Sequence, residues 1–511
     1  MALSSPSWVR RSFTLDLRSL ACFRVGLGAI TLADALLRTR DATLMLAPDG
    51  MFPIAALREF FGDRWAWSLA FLVDATWWGV AVLALEALAG AALAAGLFTR
   101  VATIAAWLAV VSVVRRTAPA TNAGDEWLCC LLFWGMFLPL GATWSVDAAR
   151  RGRPRDLRAC SAATVALLLQ IAAVYLGAGS AKWNATWLSG AAVATALSTH
   201  DHGTAWGDAL AGHDAVCRLL TWAVVALENL GPCLLVATGR PAVRGALVTI
   251  FFTFHAATAA LMSLGLFAFV GMAAWLAVVP TAWWEWWSCG RESGPRVPAE
   301  GTDSTGSGDA AGGRRLAGRR GGLEAAVVAA ALGIAGLSFL HEQTAWRKRP
   351  LPAPIGAAVR LTCLAQDWGM FGEVRRQRQW VYGRGTLADG RVVDVLRGGR
   401  PLEETLPAGG FTSLPHHRWH KLFWDLPNPA RRVFSPSIAA ALARDWNRRH
   451  DAPRQLTALE IRAARVGADP LATLHDLLLA SWPARDPGGS GNLDRWLTEQ
   501  TTPGEPARSE K

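Results

Sequence analysis

The sequence predicts an all-α multi-pass membrane bundle of about nine transmembrane helices, followed by a small extramembrane α+β domain at the C-terminus. Three observations carry that expectation. Apolar residues make up 52% of the 511 residues while charged ones reach only 18%, sparse for a chain of this length. Tryptophan outnumbers tyrosine 26 to 2 and clusters at the end of an apolar run, as at Trp283, Trp284, Trp286 and Trp287, where an interfacial aromatic belt belongs. Arginines fall between apolar runs rather than along one polar face. The net charge of +11 therefore reads as loop charge that orients a membrane protein, and no nucleic-acid partner is expected.

The apolar runs cover residues 20–38, 66–94, 101–114, 127–141, 161–179, 221–238, 245–262, 264–282 and 322–340. The third and fourth fall short of the ~20 residues that a span usually needs. Arg10, Arg11 and Arg18 precede the first run, and Arg100 follows the second. The cluster Arg150, Arg151, Arg153, Arg155 and Arg158 follows the fourth, and Arg240 and Arg244 follow the sixth. Arg314, Arg315, Arg319 and Arg320 precede the ninth. All are cytoplasmic if the N-terminus is inside and the runs alternate; Arg38, Arg40, Arg58 and Arg64 in the first outer loop run against the pattern. The first run carries Arg24 and Asp34 and lacks a small-residue cleavage site after it, so a retained helix is expected rather than a signal peptide.

This reading divides the chain into a membrane domain over 1–289, a disordered cytoplasmic linker over 290–321, a final helix over 322–340 and an extracytoplasmic α+β domain over 341–511. The linker is rich in Gly, Ser, Pro and Arg, with little to bury. In the last domain, β-branched and aromatic residues flank Asp389-Gly390, a strong hairpin signal. SIAAALARDWNRRH and DPLATLHDLLLASW both show helical spacing. The eight cysteines lack the paired spacing of a zinc or dithiol site, no metal is expected, and the last domain holds only Cys363. No phosphate loop, dinucleotide fingerprint or HExxH helix occurs.

Polar residues within or beside apolar runs are costly and so informative: Arg24, Asp34, Asp125, Glu126, Gln170, Lys182, Glu228, Asn229 and His255. Arg24 and Asp34 read as ties between helices, and Glu228-Asn229 before Gly231-Pro232 reads as a helix break. His255 reads as a buried hydrogen-bonding group or a functional one. Lys182 is the only lysine in the first 347 residues and closes the run VALLLQIAAVYLGAGSAK. It is either a side chain snorkelling to the interface or a desolvated amine able to act as a base.

The segment from Tyr175 to Gly190 resembles the Y-x-x-A-G-x-x-K-x-x-x-x-W-x-x-G block of the vitamin K-dependent γ-carboxylase family and its bacterial relatives, the horizontally transferred transmembrane (HTTM) domain proteins. FRVGLGAITLADALLR, FLPLGATWSVD ending at Asp147, the Leu227–Pro232 stretch, and FFTFHAATAALMSLGLFAFVGM fit the same family, and QDWGMFG at Gln366 to Gly372 looks like its W-x-M-F segment. The resemblance implies a bacterial cell-membrane protein that binds reduced vitamin K or another lipid quinone. Lys182 is then the base that deprotonates the quinol and His255 a second catalytic group, with Tyr175, Trp187, Glu228 and Asn229 binding the quinone. A peptide substrate or a small accessory protein is the implied partner besides the bilayer.

One departure bears on carboxylation. Where the carboxylases carry a histidine that helps the carbon dioxide step, this chain reads Asn122-Ala-Gly-Asp125-Glu126, and two carboxylates there are expected to repel an anionic substrate. Three functions stay open from sequence: a quinone-oxidising, carboxylase-like enzyme; a maturation or export factor for a secreted peptide, as in sporulation-delaying-type toxin systems; and a non-catalytic scaffold in which Lys182 pairs with Asp125, Glu126 or Glu228.

Overall fold

The computed structural model describes residues 7–62, 65–152, 154, 156–198, 202–289, 310–374, 378–403, 407, 410–466 and 475–484. The bundle is built from α1 (Leu17–Arg38), α2 (Thr76–Ala95), α3 (Thr99–Arg116), α4 (Ala123–Gly135), α5 (Ala162–Ser180), α6 (Asp214–Ala237), α7 (Pro241–Leu261), α8 (Phe267–Leu276), α9 (Thr281–Cys289) and α10 (Ala310–Gln343). Side-chain caps start several of them. Asp16 accepts the Arg18 N–H at 2.8 Å at the head of α1, and Asn122 forms a capping box with Asp125 at the head of α4.

Among the described residues, six helices are long and apolar enough to cross a membrane, or seven if the bent pair α8 and α9 is one span. That pair turns by 75° at a break ending in Pro280, where the ring cannot continue the helix. The expected count of nine is therefore not reached. α4 is only 13 residues, about 20 Å at 1.5 Å per residue, and α3 carries Arg100, Arg115 and Arg116. α4 does not need a lipid-compatible surface, because Trp127, Leu128 and the residues from Cys129 to Leu132 are wrapped by neighbouring helices.

Two further expectations change. α6 is not broken: it runs through Pro232, and Asn229 keeps an intrahelical bond from its side chain to the Val225 carbonyl at 2.8 Å. α10 begins at Ala310, inside the expected linker, since its Ala, Leu and Arg residues extend the apolar helix that follows; residues 290–309 lie outside the described residues. Arg64, Arg153 and Arg155 also fall outside them.

The C-terminal part is a five-stranded antiparallel sheet with helices against it. Its strands are β1 (Arg378–Leu387), β2 (Val392–Asp394), β3 (Arg400–Pro401), β4 (Leu456–Val466) and β5 (His475–Trp482), in the order β3-β2-β1-β4-β5. The hairpin expected at Asp389-Gly390 forms, with Thr386 opposite Val392 and Gly390 at φ 83°. α11 (Ala353–Thr362) links the bundle to this part, and α12 (His417–Asp425) and α13 (Ser435–Arg449) cover the sheet.

α13 forms where helical spacing pointed, but the second such segment, of which 469–474 lie outside the described residues, is strand β5 over His475–Trp482. Pairing along β4 overrides the helix preference of its leucines: Leu477 and Leu479 are buried while Leu478 between them is partly exposed.

The core of this part is not its own. Leu44, Met45, Met51, Phe52 and Leu57 from the loop after α1 share one apolar cluster with Val381, Phe423, Phe434, Ile438 and Leu459. The Ser437 hydroxyl donates to the Met51 carbonyl at 2.9 Å. Arg418 on α12 reaches further, into the bundle. It donates to Asp125 at 3.0 and 3.2 Å and also to Asp34, while Arg38 holds the same two carboxylates at 2.8 and 2.9 Å. Two guanidiniums thus balance two buried carboxylates.

Candidate functional site

The site begins with the crossing of α5 and α6. A Cβ on Gly179 would meet the Asn229 side chain at 2.7 Å and the Glu228 carbonyl carbon at 3.0 Å, so only glycine allows this approach. The approach sets Glu228 beside Lys182, which follows directly on the end of α5. Lys182 Nζ lies 2.7 Å from Glu228 Oε2, and the two side chains are 2% and 7% exposed, which excludes snorkelling to headgroups. At that distance the two groups form a buried ion pair. Nζ spends its aligned bonds on the carbonyls of Ala178 at 3.1 Å and Met370 at 3.0 Å, and sits 5.0 Å from the centre of the Trp187 ring.

Met370 belongs to a strap, residues 363–372, that leaves α11 and seals the bundle. Gln366 exchanges amide hydrogen bonds with Gln170 on α5 at 2.8 and 3.0 Å, and Trp368 donates to Gln366 at 2.7 Å. The Phe371 and Gly372 carbonyls accept from Trp187 at 2.9 Å and Asn184 at 2.7 Å. The W-x-M-F resemblance thus marks the roof over Lys182. Sequence placed this segment in an outer domain after the last helix; its Trp368 and Gln366 bury against α5.

On the opposite wall, Trp275 Nε1 donates to the Tyr175 hydroxyl at 2.7 Å, and that hydroxyl lies 2.6 Å from His255 Nε2. The indole can only donate, and no other acceptor for the Tyr175 proton occurs among the described residues. Tyr175 therefore donates to Nε2, and the ring proton of His255 sits on Nδ1. Nδ1 is buried with no partner. Gly271 makes room for this ring, since a Cβ there would come within 2.3 Å of it.

Between these walls lies an apolar cavity of about 160 Å³, lined among others by Tyr175, Lys182, Trp187, Glu228, His255 and Phe371. Five of the six expected site residues meet there. Asn229 does not: it accepts from Trp183 at 3.2 Å and spaces α5 from α6 beside the cavity. Trp275, Met370 and Phe371 were not singled out from sequence, although Met370 and Phe371 lie within the quoted W-x-M-F segment. Of the proposed partners for Lys182, the structure selects Glu228. Asp125 is held by Arg38 and Arg418, so one of the two carboxylates expected to repel an anion is neutralised by ion pairs.

A polar cleft adjoins the cavity across Met370 and Phe371, with a volume of about 300 Å³. His202, His417 and His420 face it, and the His202 and His420 rings lie 4.4 Å apart. Burial pulls His202 and His417 down to about 4, and His420 well below the ordinary imidazole value. These three are neutral near pH 7.

The fold and the cavity together define a multi-pass membrane protein in which Lys182, Glu228 and His255, costly polar residues of the bundle, line one apolar cavity. The family follows from comparison: the model of the HTTM domain matches residues 14–283, and the chain belongs to the HTTM family. The HTTM domain is found in vitamin K-dependent γ-carboxylase. No curated protein and no solved structure matches the chain.

Proposed function

We propose that the chamber binds the ring of a lipid quinol and that the Lys182–Glu228 pair takes the proton of its hydroxyl. The observation that carries this reading is the meeting, in one apolar cavity, of a buried lysine–carboxylate pair, Lys182 Nζ beside Glu228 Oε2, and an unpartnered buried donor, His255 Nδ1. A quinol offers a hydroxyl to the first and a second oxygen to the second. Reduced vitamin K, or another lipid quinol, supplies the hydroxyl that is deprotonated before reaction with molecular oxygen.

The pair acts as one acceptor. Whether its single proton sits on the amine or on the carboxyl, the pair is neutral overall, and one further proton gives ammonium beside carboxylic acid. Burial makes that added charge costly unless an anion lies next to it, so proton transfer is coupled to ligand binding. Trp187 and the Ala178 and Met370 carbonyls hold the amine in place, and the strap keeps water away.

Glutamate carboxylation is not part of this proposal, because Asn122-Ala-Gly-Asp125-Glu126, whose Asn122 caps α4, stands where the carboxylases carry the segment with the carbon dioxide histidine, and holds no histidine. The arginine pattern supports a cytoplasmic N-terminus and an outer C-terminal part. With α8 and α9 as one span, removing the short pair α3 and α4 from the count leaves seven spans and the sides as they were.

The test is purified protein supplied with reduced quinone and oxygen, with quinone epoxide measured by chromatography. Lys182→Ala is expected to lower product by at least ~100-fold, the lower end for a lost acid–base group. Equal product from wild type and Lys182→Ala would sink the proposal. Lys182→Arg separates the scaffold reading, in which charge alone matters: arginine then preserves function, whereas a base is lost.

A further inference from the structure

An apolar slot of about 550 Å³ lies between α5, α6 and α10, and nothing in the quinol chemistry uses it. α6 and α10 both pack on α5, whose Ala173 lies between them on the slot wall. Val236 lines it from α6, Gly336 from α10, and Trp8 of the short helix Ser7–Phe13 borders it where α6 ends. Gln170 and Gln366 also border the slot, but they exchange amide hydrogen bonds at 2.8 and 3.0 Å and so ask nothing of a ligand. The slot therefore suits hydrocarbon, and it shares no lining residue with the quinol cavity.

The mouth of the slot is charged. Arg11 follows Trp8 by three residues, which puts the two on one helix face. Its backbone presses on Gly239, where an added Cβ would come within 2.5 Å of the Arg11 carbonyl oxygen. Gly239 stands two residues beyond Ala237, which lines the slot, and is followed by Arg240. Arg11 and Arg240 are both exposed, and among the described residues no carboxylate pairs with either. A void among membrane-spanning helices is filled by lipid chains, and unbalanced guanidiniums at its mouth favour an anionic head group.

We propose that the slot binds one anionic phospholipid, with an acyl chain between α5, α6 and α10 and its phosphate against Arg11 and Arg240. The volume falls within the roughly 300–1,000 Å³ typical of small-ligand sites. Any acyl chain satisfies the slot; the two arginines select the head group. Failure of the quinol chemistry would leave this site unaffected, because the two voids have separate walls.

The experiment strips lipid from the purified full-length chain in mild detergent and adds back phosphatidylglycerol or phosphatidylcholine with the same acyl chains. Retained lipid is counted by native mass spectrometry. Wild type is expected to hold one phosphatidylglycerol in preference to phosphatidylcholine. One arginine near a membrane surface contributes about fivefold to anionic-lipid affinity, so Arg11→Gln with Arg240→Gln is expected to weaken phosphatidylglycerol roughly 25-fold and leave phosphatidylcholine unchanged. Gly336→Trp fills the slot and is expected to lower retention of both lipids; a Cβ at Gly336 meets nothing within 4 Å, so the fold tolerates it. Gly333→Trp, equally free of neighbours but outside the slot, is expected to behave as wild type. Equal retention of the two lipids by wild type, as from an unselective lipid shell, or undiminished phosphatidylglycerol in the double arginine variant would overturn the head-group assignment. Undiminished retention in Gly336→Trp, or an equal loss in Gly333→Trp, would overturn the slot as the binding place.

Discussion

At the scale of single residues, the site depends on hydrogen-bond accounting. Tyr175 is the hinge of its wall: it accepts from Trp275 and donates to His255. Tyr175→Phe strands both partners in a buried space and is expected to cost about 1–3 kcal/mol of stability, read as a lower thermal midpoint in detergent. Gly271→Ala should act on the same ring by sterics, because the added methyl overlaps the imidazole. Its expected signature is lost quinone binding, measured by quenching of tryptophan fluorescence, without loss of the Lys182–Glu228 pair. Lys182 was legible from sequence because a chain so poor in lysine kept one in an apolar setting. Glu228 was legible as a costly polar residue, but its pairing was not, since nothing in the spacing between 182 and 228 fixes which faces of two helices meet. That is settled by Gly179, a small residue whose meaning appears only when the partner helix is present.

At the scale of elements, α12 is a peg. Its Arg418 satisfies Asp34 on α1 and Asp125 on α4 at once, and side chains there are at most 7% exposed. Removing one member of a buried ionic set leaves uncompensated charge, so Arg418→Met is expected to destabilise the protein by about 3–5 kcal/mol and to speed protease cleavage of the C-terminal part. The same network explains an anomaly in the arginine pattern: Arg38, which runs against it, is consumed by ion pairs, so it does not count as loop charge.

On the peg and beside it, burial pulls His417 and His202 down to about 4, below the ordinary imidazole value of 6.5. The unfolded chain binds protons first as pH falls, so stability is full above about pH 6.5 and declines between pH 6.5 and 4. His202→Phe with His417→Phe should flatten that decline in thermal melts taken across the window; an unchanged slope would refute the assignment. Helix positions and the Asp389-Gly390 hairpin were readable from local pattern. β5 was not, because its leucines suit a helix and only the neighbouring strand decides otherwise.

At the scale of the whole molecule, the membrane part and the C-terminal part form one body. The strap enters the bundle, Arg418 enters it again, and the loop after α1 leaves it to complete the other core. A protease site engineered between residues 290 and 309 is therefore expected to give two fragments that co-purify in detergent after cleavage, and fragments that separate would contradict this account. The sequence divided the chain by composition, which is a reliable guide to where lipid ends. Composition says nothing about contacts between residues hundreds of positions apart.

That last feature also bears on how the protein is made. Met51 and its hydrogen-bond partner Ser437 are 386 residues apart, so at ordinary translation rates roughly 20–80 s separate their synthesis. During that interval the ribosome has released the loop carrying Leu44, Met51 and Phe52 while the strands and helices that cover it do not yet exist. The nascent chain must carry an uncovered apolar loop through most of its own synthesis, and the window for misassembly closes only when the final domain arrives.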